Sequence, residues 1–249
     1  MSPKKQSVEK WNAKRIAKAA VSHASALAAR LSLLPVSRAT SMDPHHQLFR
    51  RFVAEVNAMP NPRLVELGSR MRSGNKYTSG FRRDISYTGV DIIPGENVDM
   101  VADAHELSKH VDSGAFDAMF SISVFEHLAM PWKVVVELNK VLKTGGLAFV
   151  STHPTYPPHE RPWDFYRYSK HGMAALFNKL AGFEIVDVCE GLPCRIVPLG
   201  FEPAMKSMQV HDAFLAVAIL ARKIGPADPR LAWDVSLKEF LDTAYPPTC

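Results

Sequence analysis

"RLVELGSR" (residues 63–70) is a short apolar run that passes straight into a glycine turn. Leu64, Val65 and Leu67 follow one another too closely for a half-exposed strand, so the segment reads as a strand buried on both faces. Gly68 carries no Cβ, which lets the backbone after the strand approach a ligand closely. The second small residue of an ordinary cofactor turn is missing, and Arg70 stands in its place. A dinucleotide needs G-x-G-x-x-G to seat its pyrophosphate against a helix N-terminus. That motif is absent here, which argues against a nicotinamide enzyme and leaves room for a cofactor without phosphate.

Working outward, further strands are expected at "SYTGVDI" (86–92), "VDMVAD" (98–103), "FDAMFSISV" (116–124), "LAFVST" (147–152), "FEIVDV" (183–188) and "AFLAVAILA" (213–221). Helices fall between them. Asp43-Pro44 caps one that carries Leu48, Phe52, Val53 and Val56 and ends between Asn57 and Pro62. A short helical segment follows at 104–110. Pro131 opens a helix with Val135, Leu138, Val141 and Leu142 on one face, ended by Gly145-Gly146. Ser169 caps another with Met173, Leu176, Phe177 and Leu180, stopped at Gly182. Residues 189–212 read as an irregular insert, and the tail after Gly225 adds one short helix. Strands that alternate with helices predict a doubly wound α/β fold with a mostly parallel, seven-stranded sheet. Ligands bind such sheets beyond the carboxyl ends of the strands, where strand order reverses.

The bulk composition fits one large α/β domain: 249 residues, 47% hydrophobic and 22% charged. The three cysteines, Cys189, Cys194 and Cys249, are too few for a disulfide framework and read as ordinary thiols of a reducing compartment. The net charge of +5 is local: residues 1–40 hold eight Lys and Arg against the single acid Glu9, and the rest of the chain is slightly negative. The body therefore gives no reason to expect nucleic-acid binding. Residues 1–42 form a basic, Ala-rich, helix-prone extension whose uncharged run is too short to span a bilayer. Three readings of it stay open: a helix capping the domain, a basic helix on an anionic membrane surface, and an organelle-targeting leader. The expected organisation is this extension, a domain over 43–225 and a tail over 226–249. The expected location is the cytoplasm, with peripheral membrane contact through the extension as the variant.

The strand ends carry the chemistry. Glu66 and Gly68 follow the first strand, and Asp91 ends the second, where an acid accepts hydrogen bonds from ribose hydroxyls. Asp103-Ala104 follows the third, a small acidic site suited to an amino group of a base. "SVFEHL" (123–128) follows the fourth. Alone, each has a plain structural explanation; together, at successive strand ends, they are specific.

Residues 63–190 resemble the class I S-adenosylmethionine-dependent methyltransferases. The resemblance rests on "LVELGSR", "YTGVDI", "VADAHEL", "FDAMFSISVFEHL" and "PWKVVVELNKVLKTGG" in order. Pro131-Trp132 and "HPTYPPHERPWDFYRYS" (153–169) look like a bacterial branch associated with glycan and secondary-metabolite genes. The resemblance implies a Rossmann-like methyltransferase fold and S-adenosyl-L-methionine as cofactor. It implies that Glu66 and Gly68 line the methionine side, Asp91 the ribose, and Asp103 with Ala104 the adenine. Ser69, Arg70, Ile92 and Ser121 complete the expected cofactor contacts. Arg70 departs from the family's small residue; it is read as a solvated loop residue, or as reaching an acidic acceptor or the cofactor's carboxylate.

The loop over 152–169 suits the acceptor side, because its prolines hold it extended. His127 or His159 is expected to act as general base, with Asp164 orienting it or binding the acceptor. Glu126, His153, Tyr156, Trp163 and Tyr166 are expected to contact the acceptor, with Trp163 and Phe165 alternatively anchoring the loop. No metal is expected, since His153 and His159-Glu160 lack the ligand spacing of a rigid helix pair. The leading reading is an enzyme that methylates a hydroxyl or amine of a small molecule or glycan. The competing readings are a cofactor-binding pseudoenzyme or scaffold, and a nucleotide-sugar or nicotinamide enzyme on a similar sheet.

Overall fold

Asp43 starts helix α1 (Pro44–Asn57): its carboxylate accepts from the His45 N–H at 3.0 Å, and Pro44 takes the first position, where no N–H is needed. The same carboxylate accepts from the Leu192 N–H at 2.7 Å, tying the helix start to a distant strand. The computed structural model describes residues 24, 42–71, 77–196 and 211–240. By its contacts the chain divides into two units, residues 43–192 with 214–249, and residues 1–42 with 193–213. The first unit holds everything that follows, save strand ends that run into the second. The readings of the basic extension and of residues 197–210 lie outside the described residues.

Seven strands form one sheet: β1 (Arg63–Leu67), β2 (Ser86–Asp91), β3 (Met100–Val101), β4 (Phe116–Ile122), β5 (Leu142–Thr152), β6 (Phe183–Cys194) and β7 (Ala213–Lys223). Their order is β3-β2-β1-β4-β5-β7-β6. The pairs from β3 through β5 are parallel, and β7 runs antiparallel to β5. Side-chain alternation divides the core. Leu64, Phe120, Phe149 and Leu220 face α1 with its Leu48, Phe52 and Val56. Val65, Met119, Val150 and Ile219 face the opposite cluster, which holds Val134, Leu138 and Val141 of α2 (Pro131–Val141) and Met173 of α3 (Lys170–Leu176). The sheet is thus covered on both faces, the doubly wound arrangement that alternation of strands and helices predicts. A short α4 (Leu237–Phe240) lies in the tail. Among the described residues no helix is long and apolar enough to cross a membrane.

Several boundaries differ from the sequence expectation. β3 has two residues rather than six, because the Asp99 carboxylate turns back to accept from the Gly89 N–H at 2.7 Å. α2 stops at Val141, before the glycine pair, and the chain enters β5 at once; the pairing with β4 shifts register between Phe116 and Ala118. α3 stops at Leu176, since Asn178 Oδ1 accepts from the Leu180 and Ala181 N–H groups and ends the helix. Leu180 is consequently outside the helix and exposed. β6 continues to Cys194, taking into the sheet residues expected in the insert. Between β1 and β2 the described residues contain only a 3₁₀ turn, Tyr77–Gly80. The tail packs on the domain: the Asp228 N–H donates to the Leu180 carbonyl at 2.8 Å, and Lys133 Nζ donates to the Val235 carbonyl at 2.6 Å.

Candidate active site

Strand order reverses at β1 and β4, and a cleft of about 450 Å³ opens beyond their carboxyl ends. Gly68 leaves β1 at φ +80°, where a Cβ would lie 2.1 Å from Val124 Cγ2. Glycine at 68 is therefore required by both its torsion and the approach of the β4 turn. Glu66 lies on the cleft wall, almost wholly buried. Burial pushes its carboxyl up to about 7, against hydrogen bonds from the Tyr87 hydroxyl and from Asn97 Nδ2 at 3.4 Å. Asn97 also donates to the Ser69 carbonyl at 3.0 Å, which holds the Gly68 turn over the acid.

Asp91, at the end of β2, accepts from the Ile93 N–H at 2.9 Å and the Arg70 N–H at 3.2 Å. The Arg70 side chain folds along Gly95 and brings Nε to 3.9 Å from Asp91 Oδ1. Arg70 thus has a carboxylate neighbour within the protein and still lines the cleft. Asp103 caps the 3₁₀ segment Ala104–Lys109, with Oδ1 accepting from both the His105 N–H and His105 Nδ1. His105 Nε2 accepts from the Met130 N–H at 3.3 Å, so the proton of this imidazole sits on Nδ1. Burial works against the ionised form of Asp103, yet the bonds from His105 hold its carboxyl below the usual range.

The other wall is the loop after β5, stitched onto the segment after β4. Glu126 O accepts from the Phe165 and Tyr166 N–H groups, and the Tyr168 hydroxyl donates to the Phe125 carbonyl at 3.0 Å. This brings His127, His153, Tyr156, His159, Glu160 and Trp163 to one end of the cleft. Tyr156 stacks on His153, with ring centroids 4.4 Å apart, and His127 meets His159 edge-on at 4.8 Å. Burial lowers the His127 imidazole below its ordinary value, so it is neutral at neutral pH.

Of the residues expected at the site, Glu66, Gly68, Ser69, Arg70, Asp91, Ile92, Asp103, Ala104, His127, His153, Tyr156, His159 and Trp163 line the cleft. Ser121, Glu126, Asp164 and Tyr166 do not. The Ser121 hydroxyl is buried and donates to the Leu67 carbonyl at 3.0 Å. The Tyr166 hydroxyl donates to the Ala129 carbonyl at 3.0 Å. Asp164 is held by Arg167 in a two-point pair of 2.6 and 2.9 Å, and it accepts from the His159 N–H at 3.0 Å. The pair holds the Asp164 carboxyl down at about 2, so this group braces the loop as a permanent carboxylate. Glu126 lies behind the wall, fully buried, with Oε2 accepting from the Thr152 hydroxyl at 2.7 Å.

A family profile described as a methyltransferase domain matches residues 74–150. The fold agrees. A methyltransferase dependent on S-adenosylmethionine from Archaeoglobus fulgidus superposes with a TM-score of 0.51 at 14% identity, over 71% of this chain and 92% of the other. The YcgJ protein of Bacillus subtilis gives 0.51 at 16% identity, over 73% and 99%. The 1,6-didemethyltoxoflavin-N1-methyltransferase of Burkholderia thailandensis, solved with that compound and S-adenosylhomocysteine, gives 0.50 at 15%, over 82% and 90%. No curated protein matches the sequence. The chain carries a methyltransferase domain by that profile, on the fold shared with these S-adenosylmethionine-dependent methyltransferases.

S-adenosylmethionine is the cofactor of the Archaeoglobus fulgidus methyltransferase. The cleft suits it: the volume lies in the range of small-ligand sites, acids stand at three successive strand ends, and the sequence lacks the G-x-G-x-x-G of a phosphate cradle. Sequence reasoning missed Tyr77, Tyr87 and Asn97 around Glu66, and His105 beneath Asp103. Asn97 alone left a trace, since an Asn beside Gly95 marks a turn; it adopts φ +69°. Glu160 stood beside His159 in the sequence and received no role, yet it lines the cleft.

Proposed function

We propose that this methyltransferase transfers the methyl group of S-adenosylmethionine to a hydroxyl or amine of a small molecule or glycan. The observation that carries the reading is a single cleft lined at one end by Glu66, Asp91 and Asp103 and at the other by His127, Tyr156 and His159. Glu66 and the Gly68 turn take the methionine end, Asp91 the ribose hydroxyls, and Asp103 with Ala104 the adenine. The 1,6-didemethyltoxoflavin-N1-methyltransferase, solved with 1,6-didemethyltoxoflavin bound, supports a small-molecule acceptor.

The cofactor supplies an electrophilic methyl group on a sulfonium, whose charge is lost as the methyl moves in line to the acceptor. The chain's own residues therefore mainly orient the partners and exclude water. Tyr156 and His153 form a stacked wall for a planar or sugar acceptor. The proton of a hydroxyl acceptor leaves toward the cluster of His127, His159 and Glu160 at that end of the cleft, where burial holds the His127 imidazole below its ordinary value. Asp164 positions His159 through its main chain.

Calorimetry with S-adenosylmethionine, S-adenosylhomocysteine and NAD tests the cofactor half. Heat with the first two and none with NAD is expected, with binding weakened in Asp91→Ala. No heat with either sulfur compound would sink the reading. Transfer of labelled methyl from S-adenosylmethionine into fractionated small-molecule and glycan extracts then identifies the acceptor class.

A further inference from the structure

Glu126 is fully buried, and its Oε1 has no hydrogen-bond partner. An unsatisfied carboxylate oxygen in a protein interior is costly, so its surroundings need an explanation. Those surroundings are imidazoles. His153 Nε2 lies 3.4 Å and His127 Nε2 3.9 Å from Glu126 Oε1, and one ligand atom from each of Glu126, His127 and His159 falls within 4.8 Å of the others.

The far side of each ring settles which nitrogen carries the proton. His127 Nδ1 lies 2.6 Å from the Trp163 carbonyl, and His159 Nδ1 lies 3.1 Å from the Pro157 carbonyl. A carbonyl only accepts, so both Nδ1 atoms are the N–H donors, which leaves each Nε2 as the nitrogen free to ligate. His127 Nε2 then faces the unpartnered carboxylate oxygen, with His159 beside the pair. An imidazole whose Nδ1–H is held by a carbonyl is the outer-shell arrangement that orients histidine ligands on a metal. His153 is different: the Ser123 hydroxyl, 3.2 Å from its Nε2, takes that lone pair as donor, since His153 Nδ1–H donates to the Leu215 carbonyl at 2.8 Å.

We propose that Glu126, His127 and His159 bind one divalent transition-metal ion of the Zn²⁺ class at the acceptor end of the cleft, with an open position facing the acceptor. Two histidines and one glutamate with a vacant fourth place are the ligand set of a catalytic rather than a structural zinc site. His127 and His159 line the cleft while Glu126 anchors from behind, so the open position faces the bound molecule. Metal–ligand bonds of about 2.0–2.1 Å set ligand edges near ~3.4 Å in a tetrahedron, so His159 closes inward on binding. It can do so because it sits on the loop, with its side chain 27% exposed. The sequence argument against a metal relied on spacing within one segment. The ligands instead come from two strand-end segments, 33 residues apart from Glu126 to His159.

The role of the ion rests on the methyl-transfer reading above. An acceptor hydroxyl bound at the open position loses its proton more readily. The O–H bond breaks with its proton passing to Glu160, whose Oε2 stands 4.0 Å from His127 Nε2. The oxygen then forms its bond to the methyl carbon as the carbon–sulfur bond breaks. The acceptor is accordingly an oxygen nucleophile.

The test is metal content and titration of the full-length chain with Zn²⁺ and Co²⁺. One equivalent bound is expected, with the Co²⁺ form showing visible absorption of a low-coordinate N/O site. His159→Ala, on the outer loop, and Glu126→Gln, isosteric in the core, should each weaken binding by at least about tenfold. Both should keep their affinity for S-adenosylhomocysteine, which shows that they fold. Failure of the wild-type chain to bind either ion, or undiminished binding in both variants, overturns the site. One equivalent bound with no methyl transfer to any acceptor supports the site and overturns the methyl-transfer reading. Methyl transfer that survives complete removal of metal by a chelator overturns the catalytic role of the ion.

Discussion

Glu66 makes the most direct prediction about a single residue. The folded chain holds its carboxyl at about 7, whereas an unburied Glu ionises near 4.5. Between those values the folded state binds a proton that the unfolded state has released. Stability therefore falls as pH rises from about 4.5 to about 7 and levels off above, by on the order of 3 kcal/mol in all. Urea midpoints measured across that window should show the decline in the wild-type protein and its absence in Glu66→Gln. An equal slope in both would remove Glu66 as its source. Gly68 makes the second. Gly68→Ala places a Cβ 2.1 Å from Val124 Cγ2 at φ +80°, and a loss of about 1–3 kcal/mol is expected. Val124→Ala in the same chain should restore the part due to the clash and leave the part due to torsion. A double variant no more stable than Gly68→Ala would assign the whole cost to the backbone.

At the scale of the element, the loop after β5 holds its shape through the Asp164–Arg167 pair and the carbonyls of Glu126 and Trp163. Arg167→Met keeps the length of the side chain and removes both bonds to Asp164. The loop should loosen without touching the strand ends of β1 and β2. Methyl transfer is expected to fall at least about tenfold while the S-adenosylmethionine Kd stays within about twofold. Equal losses in turnover and cofactor affinity would show that the loop serves both halves of the cleft. The loop's aromatic and histidine density was legible in the sequence, but the division of labour within it was not. Asp164 stood in the sequence as a partner for a catalytic histidine, and it braces the loop because Arg167, three residues on, reaches it first. α3 ended early for a similar reason: Asn178 competes locally for the backbone groups that another turn would have used.

For the molecule as a whole, the two faces of the sheet are unequal in kind. The face under α1 is an aromatic cluster of Phe49, Phe52, Phe81, Phe120 and Phe149, with Phe52 and Phe149 stacked at 5.5 Å. Phe52→Ala should cost about 3–5 kcal/mol, read from chemical unfolding, because the fully buried ring leaves a hole its neighbours cannot close. Saturating S-adenosylmethionine should return part of that loss, since a ligand of the folded state alone stabilises it by mass action. A loss under about 1 kcal/mol would mean that α1 packs more loosely than its rings suggest.

The sequence by itself determined the alternation of strands and helices, the buried β1, the glycine turn and the acids at the ends of three strands. These are local signals, carried by periodicity of apolar residues and by the torsional freedom of glycine, so they survive reading along one dimension. Only the tertiary structure decided the strand order, the antiparallel β7 and the direction of Arg70, whose Nε approaches Asp91 across the turn. It alone placed Tyr87 and Asn97 over Glu66, and Glu126 behind His127 and His159. Those arrangements depend on which segments lie side by side, and the pairing energy that selects them is shared among residues far apart in the chain.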